Sequence, residues 1–342
     1  MKSTSIDILN IGLLIVAFIA AIFLPFELFL FSYAFLGPLH YLTEINWLDD
    51  KTYFIKPKLI IKRLFIVFAI VIAILPLMKY LEEIEVFKRF SEWLGPNKNA
   101  VILLAGFLFS MALIAIQKFK YLVIALVLSI VLSIVFALLI PKFLIVVGVF
   151  LPTIVHVYIF TLLFMIYGVL KSKSIPGVIC VLLIMSVPFI ILLMNIDPET
   201  YILSDYTKTS YSGSGFIPLN YSLADLIGTD MQRFALLSEV GVKIQIFIAF
   251  AYTYHYLNWF SKTSIIGWKK SLTNKRTKYI VVIWMASVAL YLYDYTTGII
   301  ALFFLSLLHV VLEFPLNVVT IKEIGLAAFN PKFWGKLARR KT

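Results

Sequence analysis

The feature that most limits what this chain can fold into is its recurring apolar runs. Each is about 20 residues long, enough to cross a hydrocarbon core about 30 Å thick. IDILNIGLLIVAFIAAIFL and YLVIALVLSIVLSIVFALLI are two of them. In lipid the backbone must satisfy its own hydrogen bonds, so such runs can only be helices. A membrane barrel would instead alternate apolar and polar residues, and none of these runs does. Composition agrees: 14% of residues are charged and mean hydropathy is +0.99, against about 25% charged in a soluble domain. The expectation is an all-α, polytopic transmembrane helical bundle, a single integral-membrane domain over 1–342.

Ten spans are expected, at roughly 6–24, 26–44, 59–78, 99–117, 120–140, 143–170, 175–195, 237–261, 278–294 and 297–320. Pro25 and Pro141 separate neighbouring runs, because proline lacks an N–H and clashes with the preceding turn. With the N-terminus in the cytoplasm, 22 of the 30 Lys and Arg fall in cytoplasmic loops or the basic tail. That is the positive-inside pattern of a multi-pass inner (cytoplasmic) membrane protein with both termini inside. The same clustering accounts for the net charge of +12. No basic stripe with interleaved aromatics points to nucleic acid. The first run has no small-residue cleavage site and reads as a retained helix. The 79–98 stretch mixes charges with Leu, Ile, Phe and Trp at helical spacing and reads as an interfacial amphipathic helix. The acidic 196–239 segment reads as a solvated extracytoplasmic loop, with a lid as the alternative. Cys180, the single cysteine, permits no disulfide or CxxC site.

All four histidines, His40, His156, His255 and His309, fall inside expected spans. Ionisable residues there are costly and mark function by default. The four spans run in the same direction, so the imidazoles can meet in the inner half of the membrane. Neutral imidazole ligates iron, copper or zinc without burying an anion. Two carboxylates follow at helical spacing, in His40-x-x-x-Glu44 and His309-x-x-x-Glu313. A spacing of i, i+4 puts both side chains on one face. Each glutamate can ligate a metal or orient a ligating imidazole. Glu44 reads as close to water and Glu313 as deeper. Glu27 and Asp294 read as interfacial.

GPLHYLTEINW, PTIVHVYIF, YTYHYLNWF and LLHVVLEFPL resemble the four histidine motifs of the Brp/Blh family, the membrane-embedded bacterial β-carotene 15,15′-dioxygenases that make retinal. The resemblance covers about 50 residues. Trp259 stands where the family's third motif has a second histidine, and the carboxylates are Glu rather than Asp. The resemblance implies Fe(II), or another first-row metal, held by the four histidines. It also implies a lipophilic small-molecule substrate oxidised by O2. Around the histidines, Tyr158, Thr153 and Asn258 are candidate partners of the ligands. Tyr252, Tyr254, Tyr256 and Trp259 are candidate walls of a substrate tunnel. No P-loop, GxGxxG, HExxH or Ser-His-Asp pattern is present, which argues against an ATPase, a dehydrogenase and an intramembrane zinc protease. The alternatives are a fatty-acyl hydroxylase or desaturase-like enzyme, and a transporter in which His and Glu relay protons.

Overall fold

The computed structural model describes residues 3–55, 59–77, 98–140, 145–232 and 234–329, with isolated positions between 85 and 92. The 79–98 amphipathic helix, Pro141 and the basic tail lie essentially outside these. Among the described residues every regular element is helical.

The chain opens with α1 (Ser3–Phe23), α2 (Pro25–Phe31), a π-wound turn (Ser32–Leu36) and α3 (Gly37–Asp50). Then come α4 (Leu59–Ile74), α5 (Lys98–Ala115), α6 (Phe119–Leu139), α7 (Val146–Ser172) and α8 (Ile175–Leu193). The short α9 (Asp205–Gly213) and α10 (Ile217–Leu226) precede α11 (Glu239–Ser261) and α12 (Thr263–Ile266). The described chain ends with α13 (Asn274–Tyr293) and α14 (Tyr295–Ala328).

Seven of these helical stretches are long and apolar enough to cross a membrane, and the protein is a membrane protein. The 25–50 stretch, α11 and α13 are not among the seven. α11 illustrates the physical reason. Nearly every side chain from Val242 to Trp259 is buried, Gln245, Thr253, His255 and Asn258 included. A helix shielded from lipid by its neighbours can carry polar residues, whereas a helix facing lipid cannot. α6 is the converse case: Val127, Leu128, Val131 and Leu132 are each about half exposed. An apolar face of that size is untenable in water but is expected against acyl chains.

α11 packs against α1, α2 and α8, while α14 packs against α3, α4, α5, α7 and α13. These two centres nucleate two apolar clusters. One is built around Phe26, Phe29, Phe250 and Tyr252, the other around Trp47, Phe65, Phe109 and Phe314. The histidines sit at the seam between them.

Two segments are wound wider than an α-helix, one just before the helix that carries His40 and one that carries His156. Ser32–Leu36 leads into Pro38, and Val146–Phe160 contains Pro152. A proline ring inside a helix clashes with the carbonyl four residues back. Widening the turn relieves that clash, and such π-segments are frequent at functional sites. The 196–239 segment is more ordered than a solvated loop. Ser204 caps α9, and Leu219, Leu223 and Ala224 bury one face of α10. Asn220 donates to the Tyr211 hydroxyl, which donates to Gln245 on α11, and Gln245 donates to the Pro25 carbonyl.

Candidate metal centre

The helices bring all four histidines together. His40 comes from α3, His156 from the wide part of α7, His255 from α11 and His309 from α14. Their rings form a closed cycle. Centroids are 4.6 Å apart for His40–His255, 5.1 Å for His255–His156, 4.9 Å for His156–His309 and 5.4 Å for His309–His40. Every ring is at most 6% exposed.

Orientation is more telling than proximity. All four turn Nε2 inward. The Nε2 atoms of His156 and His309 are 3.0 Å apart, as are those of His40 and His255. His40, His156 and His309 present ligand atoms within 4.8 Å of one another, a group able to hold a metal ion. Nitrogens about 2.0–2.1 Å from one ion would lie about 2.8–3.4 Å apart, from right-angled to tetrahedral arrangements.

The Nδ1 atoms point outward. The Nδ1 of His255 is 2.7 Å from Thr161 Oγ1. The Nδ1 of His156 is 2.9 Å from Glu313 Oε2, though too obliquely for a hydrogen bond. The Nδ1 of His309 faces the carbonyls of Leu305 and Ser306 and falls short of hydrogen-bond geometry. The Nδ1 of His40 has no hydrogen-bond partner among the described residues.

This arrangement fits a cation better than hydrogen bonding among the rings. In an imidazole pair one Nε2–H can donate to the other Nε2, but the donor's Nδ1 is then a bare lone pair. Glu313 Oε2 beside His156 Nδ1, and two carbonyls beside His309 Nδ1, call for N–H on both. Two Nε2 lone pairs would then face each other at 3.0 Å with nothing between them. A shared metal satisfies every inward lone pair and leaves the proton on Nδ1, the usual tautomer of ligating histidine, where His156 and His255 have acceptors beside it.

The two glutamates differ in their places. Glu44 is 2% exposed and its Oε2 lies 3.0 Å from the Nε2 of His40. The expectation that it lies near water is thus corrected: α3 continues to Asp50, two turns beyond it. It stands on the ligating side of the ring. Glu313, also 2% exposed, stands on the outer side of His156 rather than against His309, its neighbour in sequence. Asn317, one turn further along α14, lies 3.5 Å from Glu313. The two carboxyls are near enough to feel each other's charge.

Other expected residues divide. Trp259 lines a cavity beside the histidines, donates to Thr43 Oγ1 at 3.0 Å and meets the His40 ring edge to face with centroids 5.4 Å apart. Asn258 lines the same cavity, with its side-chain oxygen unpartnered. Tyr252, Tyr256 and Thr153 line a second cavity. Tyr158 is directed elsewhere, donating to the Ile184 carbonyl at 2.7 Å. Tyr254 meets Cys180 Sγ at 3.2 Å and lines neither cavity. Glu27 is partly exposed, and Asp294 caps α14 by accepting from the Thr297 amide at 2.6 Å.

Three neighbours of the site went unread in the sequence. Tyr41 stacks on His309 at 4.2 Å. Thr161 and Asn317 are the others. Asn317 did carry a signal, since His309, Glu313 and Asn317 repeat every four residues.

The cavities lie on either side of the cycle. The larger, about 590 Å³, reaches His40, Glu44, His255 and Glu313 and extends to Asp7, Lys171 and Lys262. The smaller, about 370 Å³, reaches His156, His255 and His309 and extends past Tyr33 and Tyr252 to Gly213–Phe216 between α9 and α10. No protein-family model, curated protein or solved structure matches the chain.

Proposed function

We propose that this protein is a membrane-embedded non-haem iron oxygenase acting on a lipophilic substrate, similar to the enzymes that cleave carotenoids to retinal. The observation that carries the reading is the inward convergence of four Nε2 atoms, with the Nδ1 of His255 turned out to Thr161 and that of His156 to Glu313. Iron(II), when bound, would supply the redox centre at which O2 is activated. Four neutral imidazoles leave coordination positions free for O2. Thr161 fixes the His255 ring through Nδ1, and Glu313 orients His156. The aromatic and aliphatic lining of both cavities excludes water and suits an elongated apolar molecule. Space on two sides of the histidines fits a substrate attacked at an internal bond.

A second reading draws on the same cavities. A transporter also needs a buried titratable cluster between two aqueous routes, and His255 lines both. Metal separates the two, since a proton relay works without it. The direct test is reaction. Protein purified anaerobically and loaded with Fe(II) should consume O2 when given a lipophilic alkene in detergent, either β-carotene, with retinal as the product, or an unsaturated fatty acyl chain. A hydroxylated or desaturated product from an acyl substrate alone would move the assignment to the fatty-acyl class. No oxygen uptake with either, by protein that holds iron, would count against an oxygenase.

A further inference from the structure

The larger cavity is not uniformly apolar. Its floor is His40, Glu44, His255 and Glu313, all buried. Its rim carries two lysines, Lys171 at the end of α7 and Lys262 just after α11. Counting along the helices, the rim lies about 10 Å from His255 by the α11 route and about 15 Å from Thr161 by the α7 route. Between them run side chains such as Phe164, Met165, Leu316 and Val319. The space is therefore a slot with the candidate metal at one end and cations at the other.

Lys262 has the more unusual position of the two. Lys171 extends to an exposed rim and lies over the Tyr167 ring at 4.2 Å. Lys262 is only partly exposed; its amine makes no hydrogen bond or close ion pair with any described residue, and the carboxylate that acts on it through space is Asp7. Burial pushes its pKa down to about 8. The rim also holds Asp7, whose Oδ2 is buried and unpartnered, and Asn258 is 7% exposed with a free side-chain oxygen. Two lysines against one aspartate leave the rim net positive. A half-buried ammonium that Asp7 meets only through space favours an anion that enters the slot, because the anion restores the hydrogen bonds lost with water.

We infer that the larger cavity binds a single-chain amphiphile, its anionic head against Lys262 and its tail running to the histidines. This rests on the reading of the cavity as the substrate site, and it narrows the substrate class to a fatty carboxylate or a monoacyl phosphate. A neutral hydrocarbon would leave the Lys262 amine desolvated and without a hydrogen-bonded anion.

The test is competition against a fluorescent polyene fatty acid on the full-length protein in neutral detergent. Oleate and oleoyl lysophosphatidate should displace the probe at least tenfold better than methyl oleate, which has the same tail without the charge. Preference for only one of the two anions would fix the head chemistry. Lys262→Gln should abolish the preference, and Lys262→Arg should keep it. Equal competition by methyl oleate or β-carotene in the unaltered protein would overturn the proposal without recourse to any variant. So would an unchanged preference in Lys262→Gln protein that unfolds at the normal temperature. Metal content is measured on the same samples. Anion preference in protein that holds no metal would sink the oxygenase reading and leave this one standing. Metal without anion preference would do the reverse.

Discussion

At the scale of single residues, the site turns on which side of an imidazole each partner occupies. Glu313 faces the outer nitrogen of His156, so its work is to hold a ring. Gln can still accept a hydrogen bond there. Glu313→Gln should lower metal affinity about 10–100-fold, the usual cost of losing such a partner, and leave partial occupancy at saturation. Glu44 faces the inner nitrogen of His40 at 3.0 Å and is as buried as Glu313. Glu44→Gln should therefore deplete metal at least as strongly; a weaker effect, by elemental analysis of matched preparations, would return Glu44 to the periphery. Thr161 is the sole side-chain partner found for the Nδ1 of His255. Thr161→Val, nearly the same shape, should weaken metal binding, and Thr161→Ser should restore it. Equal retention in Val and Ser variants would mean that the hydroxyl merely packs. The sequence exposed the histidines because ionisable residues in apolar runs stand out. It hid Thr161 because a threonine in a membrane helix commonly bonds its own backbone.

At the scale of elements, proline sets the aim of the histidines. Pro152 stands one helical turn before His156, inside the wide-wound part of α7. Replacing it with Ala should let the segment relax toward ordinary α-winding and rotate His156 out of the cycle. The expected result is protein of near-normal helicity and thermal stability that has lost most of its metal. Full metal retention would show that the winding does not aim the ring. Element positions were largely legible, since apolar runs and Pro25 mark helix ends. The π-winding was not, because it arises from a local steric clash and not from periodicity. Nor were α9 and α10, whose stretch is too polar to resemble a span. Their order comes from a Ser204 cap and the Asn220–Tyr211–Gln245 bonds, which only tertiary contact reveals.

At the scale of the whole molecule, sequence reasoning expected ten spans. Length and hydropathy single out seven, because buried helices such as α11 carry polar residues that lower their hydropathy. Ten spans with both termini in the cytoplasm remains the topology we propose, on the distribution of basic residues. A reporter active only in the periplasm, fused after Thr342, should give no signal; a strong one would require an odd number of crossings. What the apolar pattern could not supply was the meeting of α3, α7, α11 and α14 at one point, since hydropathy does not record which helices are neighbours. That meeting is the basis of the functional reading, and metal content tests it most directly. Protein purified in mild detergent and supplied with Fe(II) should hold about one iron per chain, and His156→Ala or His309→Ala should each lose most of it. Metal-free wild-type protein, or undiminished iron in both variants, would contradict a four-histidine metal centre.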